Sequence, residues 1–182
     1  MSYFNFSMPC AHPRKVISLM REFLQSATTL PNKIQMKKTY DGFCTLVGDY
    51  GEPLEKDEPI IVGYDISSLN HSDISEIEFS RFINTLSKGM TKGFANITVT
   101  LLHELGHQET KASLSCDDYK KRIFAMAEFD AQDLSIAERN RRYFNLKDEY
   151  KATEWAVNWL SISENRRKAK IFEKEFFKAW RG

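Results

Sequence analysis

The segment ITVTLLHELGHQETKA, residues 97–112, decides how the rest of the chain is read. Asn96 before it is a candidate helix N-cap, and the apolar run Val99-Thr100-Leu101-Leu102 leads into the polar motif, so a helix is predicted here. His103 and His107 stand four apart, and side chains at that spacing leave a helix on one face, one turn apart. Two imidazoles so placed can reach a single zinc ion at about 2.1 Å. Glu104 follows the first histidine directly, which sets it beside such an ion rather than on it, where it can hold a water and take its proton. Gly106 inside a helix costs about 1 kcal/mol relative to alanine, so a packing reason is expected, such as a strand or loop passing closely over the metal. The plain alternative is a surface helix carrying two solvated histidines.

A third protein ligand is needed. The extended pattern HExxHxxGxxH would put Gly at 110 and His at 113, whereas this chain has Thr110 and Ser113. The other histidines, His12 and His71, both lie upstream. A carboxylate from a later helix is therefore favoured, and the candidates are Asp148, Glu149 and Glu154 on one predicted helix and Glu128, Asp130 and Asp133 on the one before it. Glu149 and Glu154 are five residues apart, about 140° around a helix, so the two cannot face the same metal.

Working outward, the 182 residues make one domain, residues 1–182, by the usual ratio of about 150 residues per domain. Hydrophobic residues at 42% and aromatics at 13% supply enough apolar area for a core and argue against disorder. A net charge of +1 creates no global field that calls for nucleic acid, and no membrane partner is expected, because no stretch approaches the roughly 20 apolar residues of a membrane span. The start, MSYFNFSMPCAHPRK, does not read as a signal peptide. Cys10, Cys44 and Cys116 are odd in number and scattered, which points to a reduced, cytoplasmic protein.

The first periodic segment opens at His12-Pro13 and carries Val16, Met20, Phe23, Leu24 and Ala27 at helical spacing. Two short apolar runs, Phe43–Val47 and Pro59–Ile66, read as strands, and Gly51-Glu52-Pro53 with the acidic stretch between them as a hairpin turn or a longer surface loop. From residue 68 onward the pattern is helical. Asp73-x-x-Glu76, Ser115-x-x-Asp118 and Ser161-x-x-Glu164 read as helix starts, and Lys88-Gly89 as a stop. The fold class expected is α+β, with a small two- or three-stranded sheet and a mainly helical remainder.

Thr100-Leu101-Leu102-His103-Glu104-Leu105-Gly106-His107, followed by Glu149-Tyr150-Lys151-Ala152-Thr153-Glu154-Trp155-Ala156, resembles the ImmA/IrrE family of zincin-like metallopeptidases. That family pairs HELGH with a downstream helix of the form E-x-x-A-[ND]-x-[FW]-A. The resemblance covers mainly residues 96–160. It implies a zincin-like domain in which His103, His107 and Glu149 bind zinc, Glu104 is the catalytic base, and Ala152, Trp155 and Ala156 pack. Thr153 stands where the family has Asn or Asp, so a hydrogen bond supporting a zinc ligand is expected to differ. Glu154 is the runner-up ligand, since Glu154-x-x-x-Asn158 resembles the E-x-x-x-D of thermolysin-like enzymes.

The function expected is that of a zinc-dependent intracellular endopeptidase acting on a protein or peptide. The resemblance implies a phage- or mobile-element-associated protein that cleaves a repressor-type regulator. The alternative is a regulatory or interaction module with a zincin fold, a largely structural zinc and little proteolysis. The run Ile60–Ile66 is the candidate edge strand for an extended peptide. Cys10-Ala11-His12 could approach and mask the metal, and Tyr143 or Tyr150 could steady an oxyanion, although packing is the commoner role for a tyrosine. The basic runs Arg139, Arg141, Arg142 and Arg166, Arg167, Lys168, Lys170 read as solvated helix faces, the second diluted by Glu164, Glu173 and Glu175, with a nucleic-acid or partner-protein surface as the alternative.

Overall fold

A computed structural model of the chain describes residues 9–39, 45, 46, 55, 57–65 and 74–182. Helix α1 spans Pro13–Ala27, with proline at its first position and Val16, Met20, Phe23, Leu24 and Ala27 buried. These are the residues whose spacing predicts it. Strands β1 (Ile34–Lys38), β2 (Thr45–Leu46) and β3 (Ile60–Tyr64) follow. They form one sheet in the order β1-β3-β2, with β1 parallel and β2 antiparallel to β3. Helix α2 (Ile74–Ser87) ends at Lys88 and Gly89, whose φ values of 46° and 91° are left-handed. Glycine has no Cβ to clash in that region, which is why the pair terminates the helix.

Helices α3 (Asn96–Thr110), α4 (Cys116–Ala131), α5 (Ile136–Phe144), α6 (Lys147–Ser161) and α7 (Ser163–Arg181) complete the described chain. A small three-stranded sheet with a mostly helical remainder is an α+β arrangement, as expected. No helix of the described residues is long and apolar enough to cross a membrane. Phe43, Cys44, the Gly51-Glu52-Pro53 turn, Ile66, His71 and Asp73, the cap of the expected Asp73-x-x-Glu76 box, lie outside the described residues.

The core is built around α3. Ten of its residues are buried, from Ile97 and Thr98 through Leu105, Gly106 and Gln108. A helix buried on most of its circumference must be apolar nearly all round, which accounts for the long run before the motif. Phe23 of α1 stacks on Phe172 of α7 at 4.3 Å and meets the edge of Trp159 of α6 at 5.8 Å. The Trp159 indole donates to the Ala27 carbonyl at 3.2 Å, so the end of α1 fixes the rotation of α6.

Some helix starts differ from expectation. The cap of α3 is Ala95, in extended conformation, and no side chain next to it caps the helix. The buried Glu173 of α7 does that work from a distance, accepting from the Ala95 amide at 2.6 Å and the Thr98 hydroxyl at 2.8 Å. Helix α7 likewise starts after Ile162, and the Ser161 hydroxyl donates backward to the Asn158 carbonyl instead of capping forward. The Ser115–Asp118 capping box is present. Helix α5 begins at its own cap, Ser135, whose side chain accepts from the Glu138 amide.

The expected substrate strand needs correction. β3 is the inner strand of the sheet, paired along its length with β1 and at Ile61 and Val62 with β2. Among the described residues it has a strand on each side, and at Ile61 and Val62 both sides are paired, so that stretch offers no open edge for strand addition. Among the described residues the edges of the sheet are β1 and β2.

Candidate metal centre

Helices α3 and α6 cross in direct contact, and the crossing brings the motif histidines to Glu149. The reason for Gly106 is at this crossing. A Cβ on Gly106 would lie 2.4 Å from the Ala152 carbonyl oxygen, well inside contact distance. In place of the expected strand or loop, it is the backbone of helix α6 that passes close to Gly106. The close approach sets the first turns of α6 against the histidine face of α3.

There, His103, His107 and Glu149 each present one ligand atom, all within 4.8 Å of one another, and together they could hold a metal ion. Glu149 Oε2 is 3.1 Å from His103 Nε2 and 3.5 Å from His107 Nε2. The side chains of His103 and Glu149 are 5% and 2% exposed, while His107 at 19% is the side by which solvent reaches the group.

The hydrogen bonds around this group fix its chemistry. Thr153 Oγ1 lies 2.9 Å from the Glu149 backbone carbonyl and 2.9 Å from His103 Nδ1. Its hydroxyl has one hydrogen, so when the carbonyl receives it the imidazole carries its own hydrogen on Nδ1, and Nε2, 3.1 Å from Glu149 Oε2, is left with the lone pair that a metal ion needs. The Thr153 hydroxyl supplies the hydrogen bond that orients the His103 ring.

The other Glu149 oxygen, Oε1, accepts from Arg122 Nη1 of α4 at 2.8 Å. The same nitrogen pairs with Asp148, and Nη2 donates to the Tyr143 hydroxyl of α5 at 3.2 Å. Burial opposes ionisation of Glu149, but the two histidines hold its carboxyl well below the usual range. Burial also works against a charged His107, and the hydrogen bond and charge of Glu149, with the charge of Glu104, outweigh it and raise its pKa. Glu104 is buried and near enough for its charge to act on His107.

The other carboxylates lie elsewhere. Glu154, Glu128, Asp130 and Asp133 are exposed, and Asp130 pairs with Arg139. Asp148 is buried but faces Arg122. Cys10 and His12 flank Ala11, whose amide bonds to the Trp180 carbonyl, and neither joins the cluster. Tyr150 is 37% exposed and meets Phe82 edge-on, whereas Tyr143 sits within the Arg122 network, where burial raises its pKa. Arg141 and Arg142 pair with Glu138, while Arg166 and Lys170 lie over Phe94. Arg122 is the residue that sequence reasoning missed, since it sits in a run of charges on a mostly exposed helix. Compared with protein-family models, curated proteins and solved structures, the chain finds no match in any of the three.

Proposed function

We propose that the chain is a zinc-dependent endopeptidase of zincin type, with His103, His107 and Glu149 as metal ligands and Glu104 as general base. The observation that carries the reading is the meeting of three potential ligand atoms from α3 and α6 within 4.8 Å of one another. Two imidazole nitrogens and one carboxylate oxygen form the donor set of a catalytic zinc, which keeps a further position open. Two atoms each about 2.0–2.1 Å from a tetrahedral ion lie roughly 3.3 Å apart. The Glu149–histidine separations of 3.1 and 3.5 Å lie on either side of that value.

When bound, zinc supplies a Lewis acid for a peptide carbonyl and eases the ionisation of water. The chain's own residues do the rest. Thr153 keeps His103 in the tautomer whose Nε2 is free to ligate. Glu149 offsets half of the ion's charge. Glu104, on the same helix and one residue from His103, takes the proton from water and returns it to the leaving amine. A purely structural site has no use for a base in that position.

The test is E104Q. It should keep one zinc per chain and lose peptide hydrolysis by about 10²-fold or more, the usual range for loss of a general base. If zinc is lost with it, or if hydrolysis is unaffected, the roles assigned here are wrong.

A further inference from the structure

We propose that Arg122 is a positioning residue for the metal site: it selects which oxygen of Glu149 faces the histidines, and it makes completion of the site depend on the docking of α4 against α6. The inference rests on the reading of His103, His107 and Glu149 as metal ligands.

A carboxylate has two equivalent oxygens and about four lone-pair directions, and a broad torsion about its last bond. Left alone, Glu149 could turn either oxygen, or both, toward the histidines. Arg122 removes that freedom. Its Nη1 holds Oε1 at 2.8 Å, so only Oε2 remains for His103 and His107. The guanidinium is itself fixed from three sides. Asp148, next to Glu149 on α6, takes the same Nη1, the Tyr143 hydroxyl accepts from Nη2, and the Tyr143 ring lies 5.4 Å from the guanidinium carbon. Two consecutive carboxylates of α6 thus share one cation from α4, with α5 as the backstop.

The sign of the effect separates positioning from simple charge. A cation near a metal site repels the incoming ion, so if charge dominated, removing Arg122 would tighten binding. Here Asp148 already balances the guanidinium, one carboxylate to one cation, leaving Glu149 its full charge. Ordering of the ligand is what remains. Partners of this kind are worth 10–100-fold in metal affinity.

The experiment measures Zn2+ affinity by competition with a chromogenic chelator, and the visible spectrum of the Co2+-loaded protein, for wild type, R122Q, R122K and H103A. R122Q should weaken Zn2+ binding at least tenfold with unchanged far-UV circular dichroism. Its Co2+ bands should lose intensity as Glu149 becomes free to ligate through both oxygens and raise the coordination number. R122K keeps the charge but cannot serve Asp148, Glu149 and Tyr143 together, so it should also weaken binding several-fold. It decides the matter if R122Q does not fold. Affinity and spectrum like wild type, or tighter binding, in the folded Arg122 variants would overturn the positioning role while leaving the ligand set intact. Wild type binding Zn2+ no better than H103A would overturn the ligand reading itself.

Discussion

Thr153 has the smallest side chain in the cluster and decides the most. Its hydroxyl oxygen lies 2.9 Å from both Glu149 O and His103 Nδ1, and by donating to the first and accepting from the second it leaves the lone pair on Nε2 for a metal. T153V keeps volume but leaves Nδ1–H without an acceptor in a fully buried place. Zn2+ affinity measured by chelator competition should fall about 10–100-fold. Affinity unchanged from wild type would show that another group orients His103. At this scale the two histidines are legible in the sequence, because the i, i+4 spacing is a local geometric fact. Glu149 is not legible in that way. It lies 42 residues after His107, among several carboxylates of equal composition, and only the resemblance to a known pattern singles it out. Arg122 is legible by neither route, since its partners come from two later helices.

Between elements, the crossing of α3 and α6 carries the site. Gly106→Ala sets two known effects against each other. Alanine in a helix is favoured over glycine by about 1 kcal/mol, while overpacking costs about 1–3 kcal/mol. The colliding atom is a backbone oxygen at 2.4 Å, which cannot swing aside as a side-chain tip can, so the cost should win. Thermal unfolding should show a lower Tm, together with weaker zinc binding as α6 moves off the histidines. A raised Tm would mean that the helices are not in contact there. The start of α4 gives a pH signature. Lys147 and the Ser115 backbone and hydroxyl hold the Asp118 carboxyl well below its ordinary value. A depressed carboxyl stabilises the fold above its unfolded pKa, and the benefit is lost as pH falls through the folded one. D118N should therefore lower Tm at neutral pH, and the difference should close in strong acid. A gap constant with pH would refute the role of charge. The Ser115 box was readable because both partners lie within one turn, whereas the Glu173 cap of α3 spans more than seventy residues and leaves no local trace.

Over the whole molecule, the cluster is a liability until something positive occupies it. Buried carboxylates and imidazoles are costly to keep without compensation. Glu149 and Asp148 both lie below one-tenth exposure and share one guanidinium, that of Arg122. A ligand that binds only the folded state adds about 2.7 kcal/mol at a hundredfold excess over its Kd. Chelation should therefore lower the unfolding midpoint, and zinc should restore it in wild type but not in H103A. Equal response of the two proteins would place the stabilising ion elsewhere. The α+β class was legible from periodicity alone. The position of β3 inside its sheet was not, because a five-residue apolar run reads alike at the edge or the middle, and only its pairing with β1 and β2 decides.

The most direct measurement is an anomalous difference map, collected at the zinc absorption edge, from crystals of the zinc-loaded protein. The expected result is one strong peak between α3 and α6, bonded at about 2.0–2.1 Å to His103 Nε2, His107 Nε2 and a single Glu149 oxygen, with Arg122 on the other. A peak coordinated by Glu154 with Glu149 turned away, or no peak at the two histidines, would contradict it.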